Sequence, residues 1–424
     1  MGSAAPEHGE GERGRGHAAA AQPQRWALWA RLGGFYLVQG IVYGYGGFLL
    51  LPRLAAAEVG LWVQAAIVSL ASVPWVFKLA WGPWIDAPWA RRVGPARIAA
   101  SATAVLAGLL ALLVLVRDPA SQLLLVASLW LAINVAQSLQ DVATDALAFD
   151  RVAPVDRGRA WSIMLGAHHI GDGLVIAAVI APVAARAGLT GATATTAAIV
   201  AAIAIAAGLP WRRTAAAGPR GARPDLRQAG LALRGSVRAV IFATVVFAAD
   251  VLTAAISTEW LTQGLRWSPE AVAERLAWLL APATLAGYAS AAVVLSRWGA
   301  RRVGAIACVL LGLAWLGFAA AVPLWRTPAF VQGFVVVQAI VTAWVYAASH
   351  AVLLDATSPQ LRATQFAILT ACTNVPRLWA PAVGAAAVAA VGFAGSFALC
   401  GAWQIAVALV VLWVRPVPLV GSQR

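Results

Sequence analysis

The chain has 424 residues, of which 61% are hydrophobic and only 11% charged. Soluble domains run near 45–50% apolar and about 25% charged, so a water-soluble globular protein is excluded. The formal charge of +14 is of a size that suits a polyanion partner, and the placement of the arginines decides whether it means one.

Residues 1–25 are rich in Gly, Ala, Glu and Arg and contain no apolar segment, which predicts a disordered tail and not a cleaved signal peptide. A membrane helix takes about 20 apolar residues. From Trp26 onward, apolar runs bounded by charge or Pro/Gly clusters fall at 28–54, 60–82, 93–116, 121–149, 160–186, 189–211, 236–263, 271–296, 302–324, 328–354, 363–390 and 392–414. The pattern predicts an all-α integral membrane protein with twelve spans. The longest polar break is 212–235, with Arg212, Arg213, Arg220, Arg223, Arg227 and Arg234. It separates a six-helix bundle at 26–211 from a second at 236–415, followed by a short tail at 416–424.

With the N-terminus in the cytoplasm, only Arg53, Arg117, Arg186, Arg266, Arg275 and Arg326 fall on the outer side, six of the 31 basic residues. The positive-inside rule therefore places both termini and the basic linker in the cytoplasm. The high charge becomes a topology signal. Basic residues spread over several loops, without interleaved stacking aromatics, argue against nucleic-acid binding. The 20 Trp gather near span ends, as interfacial anchors do. Cys308, Cys372 and Cys400 lie in apolar stretches with no CxxC or Cys/His cluster, so neither a zinc site, a disulfide framework nor any other cofactor is expected.

The halves look duplicated. Ala90-Arg91-Arg92-Val93-Gly94 recurs as Ala300-Arg301-Arg302-Val303-Gly304, 210 residues on. Asp150, Pro154 and Arg157 align with Asp355, Pro359 and Arg362 at an offset of 205. Two six-helix halves in parallel repeat are a transporter architecture, with the site between the halves near the midplane.

Pro74-Trp75-Val76-Phe77-Lys78-Leu79-Ala80-Trp81-Gly82-Pro83-Trp84-Ile85-Asp86 resembles the PWxxKxxWxPxxD signature of one major facilitator group. That group holds AmpG-type muropeptide permeases, acetyl-CoA transporters and siderophore importers. Gln140-Asp141-Val142-Ala143-Thr144-Asp145-Ala146, with Arg157-Gly158, is similar to its QDxxxDA…RG block. Residues 35–44 resemble its first-span pattern. The chain departs from the group at Ala87, where a basic residue is usual, and at Arg91-Arg92-Val93-Gly94, where the order is usually Gly-Arg-Arg. The resemblance implies the major facilitator fold, with two pseudo-symmetric six-helix bundles, in a bacterial inner membrane. It also implies a cytoplasmic charge-relay latch at Asp86, Arg91 and Arg92. Arg157 and Arg362, with Asp150 and Asp355, read as clamps of the cytoplasmic loops.

Charges inside the bilayer cost roughly 2.5–3.5 kcal/mol each on insertion scales, which makes them functional candidates. On the fourth span Asn134, Gln137, Asp141 and Asp145 form one polar stripe, expected as a cavity wall whose carboxylates accept protons or pair a basic partner, the structural alternative being that Asp145, near the cytoplasmic end, ties down the 4–5 loop. On the fifth, His168, His169 and Asp172 cluster, with His168 and Asp172 on one face. The 205 offset carries Asp172 to Arg377 on the eleventh span, a charge of opposite sign at equal depth. Arg377 is read as holding an anionic group and the His/Asp cluster as handling protons; a packing ion pair is the plainer reading. Asp250 on the seventh span is an isolated carboxylate suited to carrying a proton or to a helix–helix hydrogen bond. Lys78, the only lysine, either meets a carboxylate such as Asp141 or snorkels to the interface. Tyr36, Gln39 and Tyr43 of the first span, and Gln338, Thr342 and Tyr346 of the tenth, are candidate lining residues. Glu259 reads as solvated near the outer surface.

These features predict a monomeric secondary transporter importing a small polar or anionic solute with protons. Anhydromuropeptide is the first candidate cargo, a ferric siderophore the second and an acyl-CoA the third. The alternatives are a non-transporting homologue acting as assembly factor or receptor, and a membrane-embedded enzyme. Five His, two of them in the tail, cannot fill a di-iron site. There is also no HExxH, GxSxG or Walker motif, so no catalytic set is expected.

Overall fold

The computed structural model describes residues 10–85, 87–152, 156–208, 236–357 and 362–414. Among the described residues every regular element is a helix. Nine helices among the described residues are long and apolar enough to cross a membrane, and the chain is an integral membrane protein. Two of the nine are divided by a glycine with non-helical backbone, Gly188 and Gly392, and the shorter apolar helix Leu61–Val76 supplies a further crossing. The result is twelve crossings.

We number them α1 (Trp26–Ala56), α2 (61–85), α3 (Pro95–Leu113), α4 (Leu123–Arg151), α5 (157–187) and α6 (189–208). The second half holds α7 (Val237–Gly264), α8 (Pro269–Trp298), α9 (Ala300–Ala320), α10 (Pro328–Asp355), α11 (362–391) and α12 (393–413). Helical structure leading into α1 begins at Glu10, where the sequence predicts a disordered tail; Ala, Glu and Arg in that stretch are strong helix formers. The linker 212–235 and the C-terminal tail lie outside the described residues.

The duplication is written in the backbone. The six positive-φ residues among those described fall into three pairs: Glu58 with Arg266, Gly94 with Gly299, and Gly188 with Gly392. Their spacings of 208, 205 and 204 residues set the register of the repeat. The repeated Ala-Arg-Arg-Val-Gly string does not share that register. Gly94 caps the start of α3, whereas Gly304 lies inside α9, whose cap is Gly299. The 205 offset relates equivalent positions in this region, and the identity at 210 is a local coincidence of Arg/Ala-rich loops.

Apolar burial drives little helix association in lipid, so close packing must do it. On α1, Gly40 and Gly44 form a GxxxG pair pressed on α5. A β-carbon on Gly40 would sit 1.9 Å from the His168 carbonyl oxygen, and one on Gly44 2.6 Å from that of Asp172. Gly384 of α11 receives Leu252 and Ile256 of α7, the corresponding contact of the second half. The halves meet along two seams. In one, Gly173 of α5 lies against Ala281 of α8; in the other, α2 lies along the 376–413 helix.

Three crossings contain turns wider than those of an α-helix, and a fourth contains a tighter one. In α5 the residues Ile170–Ile180 are wound in wider turns, as are Gly46–Leu50 in α1 and Trp260–Gly264 in α7. Such widenings re-aim the side chains they carry and recur at functional sites. In α2 the helix tightens at Phe77–Ala80, just after Pro74, before resuming at Trp81–Ile85.

Candidate functional site

The polar stripe of α4 is a seam with α1 and α2. Asp141 is 7% exposed at its side chain and accepts from Lys78 Nζ at 3.1 Å and from Gln39 Nε2 at 3.2 Å. Gln39 also donates to Gln140 Oε1 at 2.8 Å, and Gln140 donates to the Phe35 carbonyl at 2.9 Å. One turn on, Asp145 accepts from the Tyr36 hydroxyl at 2.8 Å. Gln137 donates to the Gln39 carbonyl at 3.0 Å, and Asn134 accepts from Trp75 Nε1 at 2.9 Å. All four stripe residues are thus held by neighbours in their own half, as helix ties. Lys78 meets Asp141 because the tightened turn after Pro74 turns it toward α4.

A second cluster lies between the halves. The wide turns of α5 bring Asp172 back toward the two histidines. His169 Nδ1 is 3.2 Å from Asp172 Oδ2, while His168 Nε2 stands at 3.8 Å, beyond hydrogen-bond reach. The partner of Asp172 is therefore His169, not the His168 that simple four-residue spacing selects. Tyr43 of α1 packs on His168 with ring centroids 5.9 Å apart. From the other half, the Arg377 guanidinium sits over the Tyr43 ring at 5.8 Å, and Tyr288 of α8 faces His169 at 5.3 Å. Among the described residues no carboxylate lies within 4 Å of the Arg377 guanidinium. Tyr43, in the middle of α1, is 48% exposed. A half-exposed phenol at mid-span beside an arginine marks a polar space between the halves.

On the C-terminal side of that space, Asp250 accepts from the Tyr346 hydroxyl at 3.0 Å. Tyr346 is stacked on Phe247 at 3.9 Å, and His350 lies nearly parallel to both rings. His350 Nδ1 is 2.8 Å from the Tyr346 carbonyl. Among the described residues Asp250 and Arg377 form no direct ion pair.

Tyr288, His350 and Phe247 carry no signature in the sequence. Their one available signal is rarity. The chain has five Tyr, and four of them, Tyr36, Tyr43, Tyr288 and Tyr346, lie in these two clusters. Asp86 of the expected cytoplasmic latch lies outside the described residues, as do the side chains of Arg91, Arg157 and Arg362, while Arg92 is exposed. Glu259 is not simply solvated: it accepts from Gln64 at 2.9 Å.

Two six-helix halves in register, meeting along α2 and α5 with charged and aromatic groups between them, define the major facilitator fold. A family model described as Major Facilitator Superfamily matches residues 238–424. Among solved structures, the chain is similar to the nucleoside transporter NupG, with a TM-score of 0.73 and 14% identity, covering 91% of this chain and 99% of that one. A D-xylose-proton symporter gives a TM-score of 0.67 at 14% identity, with 92% of this chain and 97% of that chain covered. The human organic anion transporter MFSD10 gives 0.66 at 15% identity, with coverages of 92% and 99%.

Proposed function

We propose that this chain is a secondary active transporter that works by alternating access and imports a polar or anionic solute together with protons. The observation that carries the reading is the Arg377–Tyr43 contact across the halves, flanked by His169–Asp172 on one side and Asp250–Tyr346 on the other. A mid-membrane arginine with no carboxylate in pairing range among the described residues has its charge available for an anionic group of the cargo. The two flanking carboxylates lie in different halves and suit proton carriage. The aromatic faces of Tyr43, Tyr288 and Tyr346 suit a sugar or planar portion. An anhydromuropeptide-like cargo fits this mixture first, a ferric siderophore second and an acyl-CoA third. The family match of the C-terminal half, and the proton symporter and organic anion transporter among similar folds, support the class. On this reading the protein is a monomer in a bacterial inner membrane, with the termini in the cytoplasm.

The test is uptake into proteoliposomes under an imposed pH gradient, comparing the three cargoes. Arg377→Gln is expected to lower uptake of the transported cargo by about tenfold or more, the scale of a lost charge-assisted hydrogen bond. Unchanged kinetics would remove Arg377 from the ligand set. Asp250→Asn is expected to leave cargo exchange in place while abolishing its dependence on the pH gradient. Accumulation that still follows the gradient in this variant would rule Asp250 out as a proton carrier.

A further inference from the structure

The ends of the helices remote from the chain termini carry a second polar assembly, away from the central cluster. Arg53, in the last turn of α1, pairs with Glu270 in the first turn of α8. Gln64 of α2 is buried and donates to Glu259 of α7 at 2.9 Å while also donating to the Val59 carbonyl at 2.7 Å. Gln263 of α7 donates to the Ala55 carbonyl at the end of α1. Each link joins one half to the other, and all three lie on the same face. They surround the paired turns at Glu58 and Arg266, where both halves adopt the same left-handed conformation.

We propose that Arg53, Gln64, Glu259, Gln263 and Glu270 form the outer gate, which holds the halves together on the outside while the central site is reached from the other face. Three features of chemistry fit a gate that must open. The links are polar, so water replaces each partner when the halves part, whereas a dry apolar seam would have no such exchange. The ion pair is only part-buried, with side chains 34% and 26% exposed, so water screens it and it is weak enough to separate, and little desolvation opposes its re-forming. Gln64 keeps its bond to Val59 within its own half, so it is already ordered when Glu259 returns. The gate therefore biases the balance between two states without locking either. The proposal rests on the alternating-access reading given above for its purpose, but its geometry is tested without a cargo.

The experiment measures distances between spin labels at Glu58→Cys and Arg266→Cys, both exposed, in protein reconstituted in nanodiscs. Cys372→Ser is included, and Cys308 and Cys400 are buried. The unaltered gate is expected to give one dominant short distance. Arg53→Glu and Glu270→Arg should each raise the ratio of long to short distances about fivefold, the scale of one part-exposed ion pair. The exchanged pair, Arg53→Glu with Glu270→Arg, should restore the short distance. Glu270→Gln and Gln64→Leu give the same reading, in the same direction, should a charge reversal fail to yield monodisperse protein. Distance distributions unchanged by every single variant, or an exchanged pair as open as its parents, would overturn the gate. Labels that move as expected in a chain that transports none of the tested cargoes would keep the gate and count against the transport reading instead.

Discussion

Lys78→Met is expected to destabilise the protein by about 3–5 kcal/mol, the cost of stranding one partner of a buried ion pair. Asp141, at 7% side-chain exposure, would keep the neutral donor Gln39 but lose its cationic partner, and an amide dipole does not replace an ammonium. The pair is more than two residues deep. Gln39 links Asp141 to Gln140, and Gln140 is anchored on the Phe35 carbonyl, so α1, α2 and α4 share one hydrogen-bonded unit. The double variant Lys78→Met with Asp141→Asn should recover most of the loss, because it removes the unpaired charge. Thermal unfolding of purified protein in detergent measures both. A lysine that only snorkels to the interface would give a single variant as stable as the parent.

Gly40→Ala is the second large effect, at about 1–3 kcal/mol for overpacking, and its reach extends to the central site. The added carbon meets the His168 carbonyl, which is backbone and cannot swing aside as a side chain would. α1 and α5 must then separate, moving His168, His169 and Asp172 away from Tyr43 and disturbing the His169–Tyr288 contact with α8. Gly44→Ala should behave alike, since its carbon meets the Asp172 carbonyl. Gly47→Ala is the control: nothing lies within 4 Å of the added carbon, and loss of a flexible helix glycine should be neutral or mildly stabilising. Melting temperature and cargo uptake should fall together in the first two variants and in neither for the third.

What the residues alone reveal follows from the kind of information each feature needs. Crossing positions depend on composition over about 20 residues, and the twelve apolar runs lie within a few residues of the helices. The Lys78–Asp141 pairing is foreseeable because a lone lysine and a carboxylate on adjacent helices have few other partners inside a membrane. The His169–Asp172 bond is not, because it depends on a change of winding at Ile170 that no local residue pattern announces. The α4 stripe reads in sequence as a cavity wall or a structural tie, and its bonds to α1 and α2 appear only in space, since periodicity identifies a face but not what covers it. Tyr288 and His350 are isolated residues on helices distant in the chain, and only packing brings them to the site. The repeated Ala-Arg-Arg-Val-Gly string shows the reverse hazard: identical letters can stand five residues out of register.

The two copies have also parted company mechanically. α8 carries Pro282 yet runs as one helix from Pro269 to Trp298, whereas its counterpart α2 is jointed at 77–80 after Pro74. A continuous helix transmits a push at one end to the other like a lever, while a jointed one dissipates it locally. The single lysine sits in that joint, tied to α4. The N-terminal half thus has in α2 a joint that its counterpart α8 lacks. The chain is symmetric in its corners and asymmetric in the winding of α2 and α8, so in the alternating-access cycle proposed above the two halves would enter with unequal levers.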